Sequence, residues 1–293
     1  MEITAPPTRT PLLARDLDPG AISSISYDIS ISAEAIGPRA SVVEDVFHPE
    51  AGTRIIVSKG GRGDAEVYEA LRRMSIESRP LRVLVDYSDM SPADYAAVLN
   101  WAELSSPHGA DIDLIYAESD YDKDHPPLMI DEILAVPGCE GGALPGRETV
   151  GLFGLGYDGP VALGVLDRLE PDRVFAVVAD PGSTEDAAER TTALNETFLR
   201  RHTDVRVDLP ISHAAATARY MQELVAPYIG VANVVAVPLG PKPHALASQI
   251  LSRSYPRDIA CLYVTGRRAE RVMAIPTEQF AVTRVSYRHG SLD

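Results

Sequence analysis

The residues of this chain best arranged for chemistry are Gly154-Leu155-Gly156-Tyr157-Asp158-Gly159, which fit the pattern G-x-G-x-x-G. An apolar run, Thr149 to Phe153, precedes them, and a helix-like period over Val161 to Leu169 follows. Asp180 ends the next apolar run, twenty-one residues after Gly159. In that context glycines let a turn close and the backbone approach a pyrophosphate. The helix N-terminus then faces the phosphate charge, and an acid is placed to bind a ribose hydroxyl. The expected contacts are Gly154, Gly156, Tyr157, Gly159 and Asp180, with NAD(P) or another nucleotide as ligand. The same glycines also suit a tight strand-to-helix turn packed against protein, and Asp158 puts a negative charge where a pyrophosphate would lie.

Three other loops follow predicted strands, where open parallel sheets bind their ligands. After Val237 comes Pro238-Leu239-Gly240-Pro241-Lys242-Pro243-His244. Here Gly240, Lys242 and His244 lie near a helix start, and a cation with backbone amides can hold a phosphate or carboxylate. After Ser58 comes Lys59-Gly60-Gly61-Arg62-Gly63-Asp64, a basic glycine-rich loop suited to an anion nest but without P-loop spacing. After Val85 comes Asp86-Tyr87-Ser88-Asp89, whose acids and hydroxyl suit a ligand contact, a metal contact or a turn. Lys242, His244 and Tyr157 are the candidates for proton transfer if the chain is an oxidoreductase.

Other chemistry is not supported. The seven histidines show no H-x-x-x-H spacing, and there is no G-x-S-x-G elbow. The two cysteines, Cys139 and Cys261, exclude a disulfide framework and suit a reducing compartment, with the cytoplasm the simplest address. The net charge of −15 opposes binding to long nucleic acid. No apolar stretch approaches a membrane span.

The elements that must position these loops alternate. From Ala21 the pattern Ile22, Ile25, Tyr27, Ile29, Ile31 is mainly alternating, as in a half-buried strand, and further strands are predicted at 54–58, 81–87, 111–117, 149–153, 174–179, 205–209, 234–237, 260–265 and 280–287. Helices are predicted at 64–74, from Ser91 to Ala102, and at 161–169, 184–200, 214–225 and 243–251. Ser91-Pro92-Ala93-Asp94 is an N-terminal capping signature. The rhythm implies an α/β protein with two Rossmann-like domains, mainly parallel sheets and helices on both faces. The stretch 136–147, VPGCEGGALPGR, reads as a boundary between an N-terminal α/β domain (21–146) and a C-terminal Rossmann-like domain (147–293). Residues 1–20 read as a flexible tail or docking arm. The second domain is expected to end in an antiparallel pair, 260–265 with 280–287.

Two resemblances follow from the motifs. GLGYDG resembles the GLGYVG-type loop of nucleotide-sugar dehydrogenases and the 6-phosphogluconate dehydrogenase-like group, over about thirty residues, and that likeness implies NAD-dependent chemistry. LGPKPHALA, a strand followed by a G-x-K loop and a helix, resembles CARF-type nucleotide-sensing domains of prokaryotic defence proteins. That likeness implies Gly240 and Lys242 as ligand contacts. It also implies a regulatory sensor subunit that meets a small nucleotide-like ligand and a protein partner or second copy of itself.

Overall fold

The computed structural model describes residues 12–34, 39, 42–57, 63–74, 79–121, 126–270 and 274–288. The protein is α/β, with two six-stranded, mostly parallel sheets. Lys59 lies outside the described residues.

The second sheet carries the glycine fingerprint. It comprises β6 (Met129–Ala135), β7 (Thr149–Gly154), β8 (Arg173–Ala179), β9 (Val205–Leu209), β10 (Asn233–Pro238) and β11 (Ile259–Arg267), in the order β6-β11-β10-β7-β8-β9. The last five in that order are parallel, and β6 joins β11 antiparallel. Runs such as Val174 to Ala179 are buried throughout, as strands covered on both faces must be. Helices α4 (Gly159–Leu169), α5 (Ala187–Leu194), α6 (Glu196–Arg201), α7 (Ala214–Val225) and α8 (Lys242–Ser254) complete the unit. Strand order reverses between β7 and β10, so the loops after these two strands diverge onto opposite faces and leave a crevice.

The first sheet holds β1 (Leu12–Leu17), β2 (Ser26–Ala33), β3 (Glu50–Val57), β4 (Leu81–Asp86), β5 (Ala110–Tyr121) and β12 (Ala274–Tyr287), in the order β1-β12-β5-β4-β2-β3. Helices α1 (Val42–Phe47), α2 (Gly63–Met74) and α3 (Pro92–Leu104) belong with it. The capping signature forms: Ser91 Oγ accepts from Asp94 N and Asp94 Oδ2 accepts from Ser91 N, with Pro92 opening the helix.

The antiparallel pair expected for 260–265 and 280–287 is not formed. Strand β12 pairs instead with β5 and β1 in the first sheet, and β11 takes β6 as its antiparallel neighbour. Residues 12–17, inside the stretch read as tail or arm, are that edge strand β1. Alternating apolar residues identify a strand without naming its partner, and these partners lie more than a hundred residues away in the chain. The helix expected over 184–200 is divided at Asn195 into α5 and α6, and β6 falls outside every predicted strand.

Helices α3 and α8 pack against each other between the sheets, and one hydrophobic core runs through residues of both, including Ile31, Trp101, Leu152 and Leu246. Arg253 of α8 is buried and donates to Asn100 Oδ1 (2.7 Å) and Glu103 Oε2 (3.0 Å) of α3. Asp16 of β1 accepts from the backbone of Ala215 (2.9 Å) and Ala216 (3.0 Å), capping α7 from the other sheet. The carboxyl edges of the two sheets are thereby held facing each other.

Candidate functional site

The loops after β7 and β10 lie backbone to backbone. Leu239 N donates to Gly154 O (2.8 Å). A Cβ on Gly156 would stand 2.5 Å from Leu239 O, one on Gly240 would stand 2.6 Å from Leu155 O, and one on Gly159 would stand 2.1 Å from Leu194 O. Gly156, Gly159 and Gly240 are therefore each required by contacts within the protein itself. Asn195, at the break between α5 and α6, donates to Gly156 O (2.7 Å) and holds the loop from the other side.

Over these loops lies a cavity of about 330 Å³. Gly156, Tyr157 and Asp158 line it from β7, Leu239, Gly240 and Lys242 from β10, and Gly182 and Ser183 from the loop after β8. Tyr116, mid-strand in β5, and Tyr121, its last residue, close it from the first sheet, and Arg268 reaches in from the segment leading out of β11. The fingerprint loop and the LGPKPH loop thus converge on one cleft, at the point where strand order reverses.

Tyr116, Tyr121 and Tyr157 line the cavity with Lys242 and Arg268, and a further cation, Arg190, stacks on Tyr157 behind the lining. The Arg190 guanidinium lies 3.9 Å from the Tyr157 ring centroid and donates to Tyr121 O (3.1 Å), while the Tyr121 and Tyr157 rings meet edge to face at 6.5 Å. Burial pushes the Tyr157 phenol above its ordinary value, so it is a neutral hydrogen-bonding group at physiological pH. Asp158 stands just before the first turn of α4, where a negative charge is favoured by the helix dipole. Its carboxylate also takes both guanidinium ends of Arg268 and the backbone N–H of Leu128 (3.3 Å).

Lys242 opens α8 and lines the cleft, and its Nζ donates to Tyr87 O (3.2 Å) and to Met90 O in the loop after β4. The other expected contacts fall elsewhere. His244 is fully buried with Nε2 3.2 Å from Pro210 O, and burial pushes its pKa down to about 4. Asp180 is exposed and does not line the cavity. Asp86 ends β4 in the other sheet, accepts from Ser88 N (3.0 Å), and is raised above the usual carboxylate range by burial.

Close to Asp86, the first sheet's own strand-order reversal, between β2 and β4, is occupied by protein. Arg39 donates there to Asp89 Oδ1 (2.8 Å), Ser119 Oγ (3.3 Å), Tyr121 OH (3.3 Å) and Ser88 O. Sequence reasoning missed Arg39, Tyr116, Tyr121, Arg190 and Arg268. Arg39 falls in a stretch without clear period, and none of the five belongs to a motif. Tyr121 and Arg268 carry one weak signal, since both lie at or beyond strand ends.

Among the described residues, no group of three or more His, Cys, Asp or Glu is arranged to hold a metal ion. Both cysteines are buried free thiols. No helix of the described residues is long and apolar enough to cross a membrane. The chain matches no family model and no curated protein.

Proposed function

We propose that the protein binds a small nucleotide-like ligand in the cleft between its two sheets and acts as a regulatory or assembly subunit, a sensor rather than a catalyst. One observation carries this: the loops after β7 and β10 converge with the β5 tyrosines on a cavity that has aromatic faces and the cations Lys242 and Arg268. Tyrosine faces suit a base, and the two cations suit a phosphate. A volume of about 330 Å³ is at the small end of the range for ligand sites, which favours a ligand or moiety of mononucleotide size. The CARF-type resemblance of LGPKPHALA is in keeping with such a sensor working in a larger, defence-type system with a protein partner or a second copy.

The alternative is an NAD(P)-dependent oxidoreductase, favoured by the placing of the fingerprint between β7 and α4. Against it weigh the engagement of three glycines in protein contacts, the exposed Asp180 and the buried His244.

The test is thermal unfolding with AMP, GMP, ATP, NAD, NADP and cyclic or linear oligonucleotides. A ligand at a hundred times its Kd stabilises by about 2.7 kcal/mol, which moves the midpoint by several degrees. The expected result is a shift with a mononucleotide or oligonucleotide that Arg268→Ala diminishes. A shift with NAD or NADP alone, lost in Gly156→Asp, favours the oxidoreductase. No shift with any of the panel overturns both readings.

A further inference from the structure

The outer face of the first sheet is covered only in part. Leu17, Val282 and Ile115 pack there under Ile22 of the turn Pro19–Ser24 and under Val43 and Phe47 of α1. Toward the amino ends of β4 and β5 the same face stays open, with Leu13, Arg15 and Arg82 exposed. Strand register sets two rows of side chains on this open part. One row is Leu13, Ser286, Asp111 and Arg82, and the next is Arg15, Arg284, Asp113 and Leu84. Arg288, one residue past β12, joins them by donating to Asp111 Oδ1 (2.6 Å).

The charge of these rows is opposite to that of the chain. Four guanidiniums stand among two carboxylates, in a protein whose net charge is −15. Arg284 is held by both oxygens of Asp113 (2.6 and 2.7 Å), and Tyr27 donates to the same carboxylate (2.8 Å). Arg15 and Arg82 make no ion pair among the described residues. Arg15 lies directly opposite Arg284, a like-charge placement that costs stability. Since Asp113 is already engaged, a carboxylate for Arg15 has to come from outside the described fold.

The same chain carries a surface of the matching sign. An open groove of about 620 Å³ is lined by the exposed acids Asp167, Glu170, Asp172 and Asp204, with Arg201 and His202. It lies where the chain enters β8 and β9, at the amino ends of the second sheet's strands. The carboxyl edges of the two sheets face each other across the cleft, so their amino edges point apart. The arginine rows and the acidic groove are thus at opposite ends of the molecule, where they can meet between copies but not within one.

We propose that the open part of this sheet face docks the acidic groove of a second copy, in a head-to-tail contact. Such a contact leaves one face and one groove unused, so association continues past the dimer until it closes into a ring or extends. The guanidinium fork matches a carboxylate in plane, and Leu13, 62% exposed, adds an apolar contact at the sheet edge. At physiological ionic strength charges more than about 8 Å apart are largely screened, so the local match decides over the net repulsion of two acidic copies. A phosphodiester backbone also suits arginines, but Asp111 and Asp113 stand among them and the net charge opposes it. The inference is independent of any ligand in the cleft.

Sedimentation velocity of the full chain over a concentration series tests it. The wild type is expected to grow beyond a dimer as concentration rises, and to return toward monomer as salt is raised from about 0.15 to 1 M. Arg15→Glu sets an acid opposite Arg284, and Asp167→Arg sets a cation in the last turn of α4, so both reversals suit the folded chain. Each is expected to weaken association about tenfold or more. Mixed in equal amounts the two variants are expected to associate again, through the face of the Asp167→Arg variant and the groove of the Arg15→Glu variant. A wild type that stays monomeric throughout overturns the proposal, as does association that neither reversal alters, or a mixture that remains monomeric. So does wild-type binding of double-stranded DNA that Arg15→Glu abolishes, which would make the face a nucleic-acid surface.

Discussion

Gly156 and Gly240 face each other's loops across the strand-order reversal so closely that neither has room for a side chain. A Cβ on the first would meet Leu239 O at 2.5 Å, and one on the second would meet Leu155 O at 2.6 Å. The obstructing atoms are backbone in both cases, so relief requires the two loops to separate. Gly156→Ala and Gly240→Ala are each expected to destabilise the protein by about 1–3 kcal/mol. Because one separation relieves both clashes, the double variant should cost less than the sum. Urea unfolding of the two single variants and the double variant checks this, and strict additivity would contradict the shared contact.

Arg268 and Asp158 separate ligand binding from stability. Their side chains are 23% and 18% exposed, and Asp158 keeps the helix dipole and the Leu128 N–H when the arginine is removed. Arg268→Ala should therefore cost no more than about 1 kcal/mol of stability. Affinity for a phosphate-bearing ligand in the cleft should fall tenfold or more. A variant that unfolds readily yet binds at full strength when folded would show the pair to be structural.

His244 and Glu118 impose opposite pH dependences. The folded protein holds His244 at about 4 against an ordinary 6.5, so between these values the unfolded chain binds the extra proton. Its contribution is intact above pH 6.5 and is lost as the pH falls toward 4, by roughly 3 kcal/mol in full. Glu118 is raised from 4.5 to about 7, so here the folded chain binds the extra proton, and stability is lost as the pH rises through that range. The two slopes oppose each other between about 4.5 and 6.5. Denaturant midpoints measured from pH 4.5 to 7.5 should fall more steeply on acidification in Glu118→Gln than in the wild type. They should rise on acidification relative to the wild type in His244→Asn. Parallel curves for all three proteins would refute these assignments.

Asp16 joins the sheets through a helix cap. It accepts from Ala215 N, Ala216 N and Thr283 Oγ1 (2.8 Å), so its loss uncovers the N-terminus of α7. Asp16→Ala should cost about 1–2 kcal/mol, and Asp16→Asn distinctly less. Hydrogen exchange at Ala215 and Ala216 should quicken in Asp16→Ala, and unchanged protection there would rule the cap out.

Much of the second sheet was legible in the sequence because parallel strands covered on both faces are apolar throughout and are punctuated by glycine and proline. Strand β9 and helix α7 fall at the predicted residues, and the fingerprint does form a strand-turn-helix. The loops Gly154 to Gly159 and Gly240 to His244 read in the sequence as ligand-edge loops, and Gly156, Tyr157, Asp158, Gly240 and Lys242 line one cavity, whereas His244 is buried in the core. Their residue types and local spacing were enough, since a turn between a strand and a helix is a short-range matter.

What the tertiary structure alone decided is partnership. The pleat of β12 could pair at either sheet, and its register with β5 and β1 is settled by burial across both sheets, a long-range effect with no local signature. The same holds for the fingerprint glycines, whose motif suits a pyrophosphate or a second loop equally, until the position of Leu239 shows what each faces. His244 and Lys242 are two residues apart in one short motif, yet the start of α8 turns one into the core and leaves the other on the cleft. Tyr116 and Tyr121 of β5, Tyr157 of the fingerprint loop and Arg268 beyond β11 come from three separate stretches of chain, and they line one cavity because α3 packs against α8 between the two sheets.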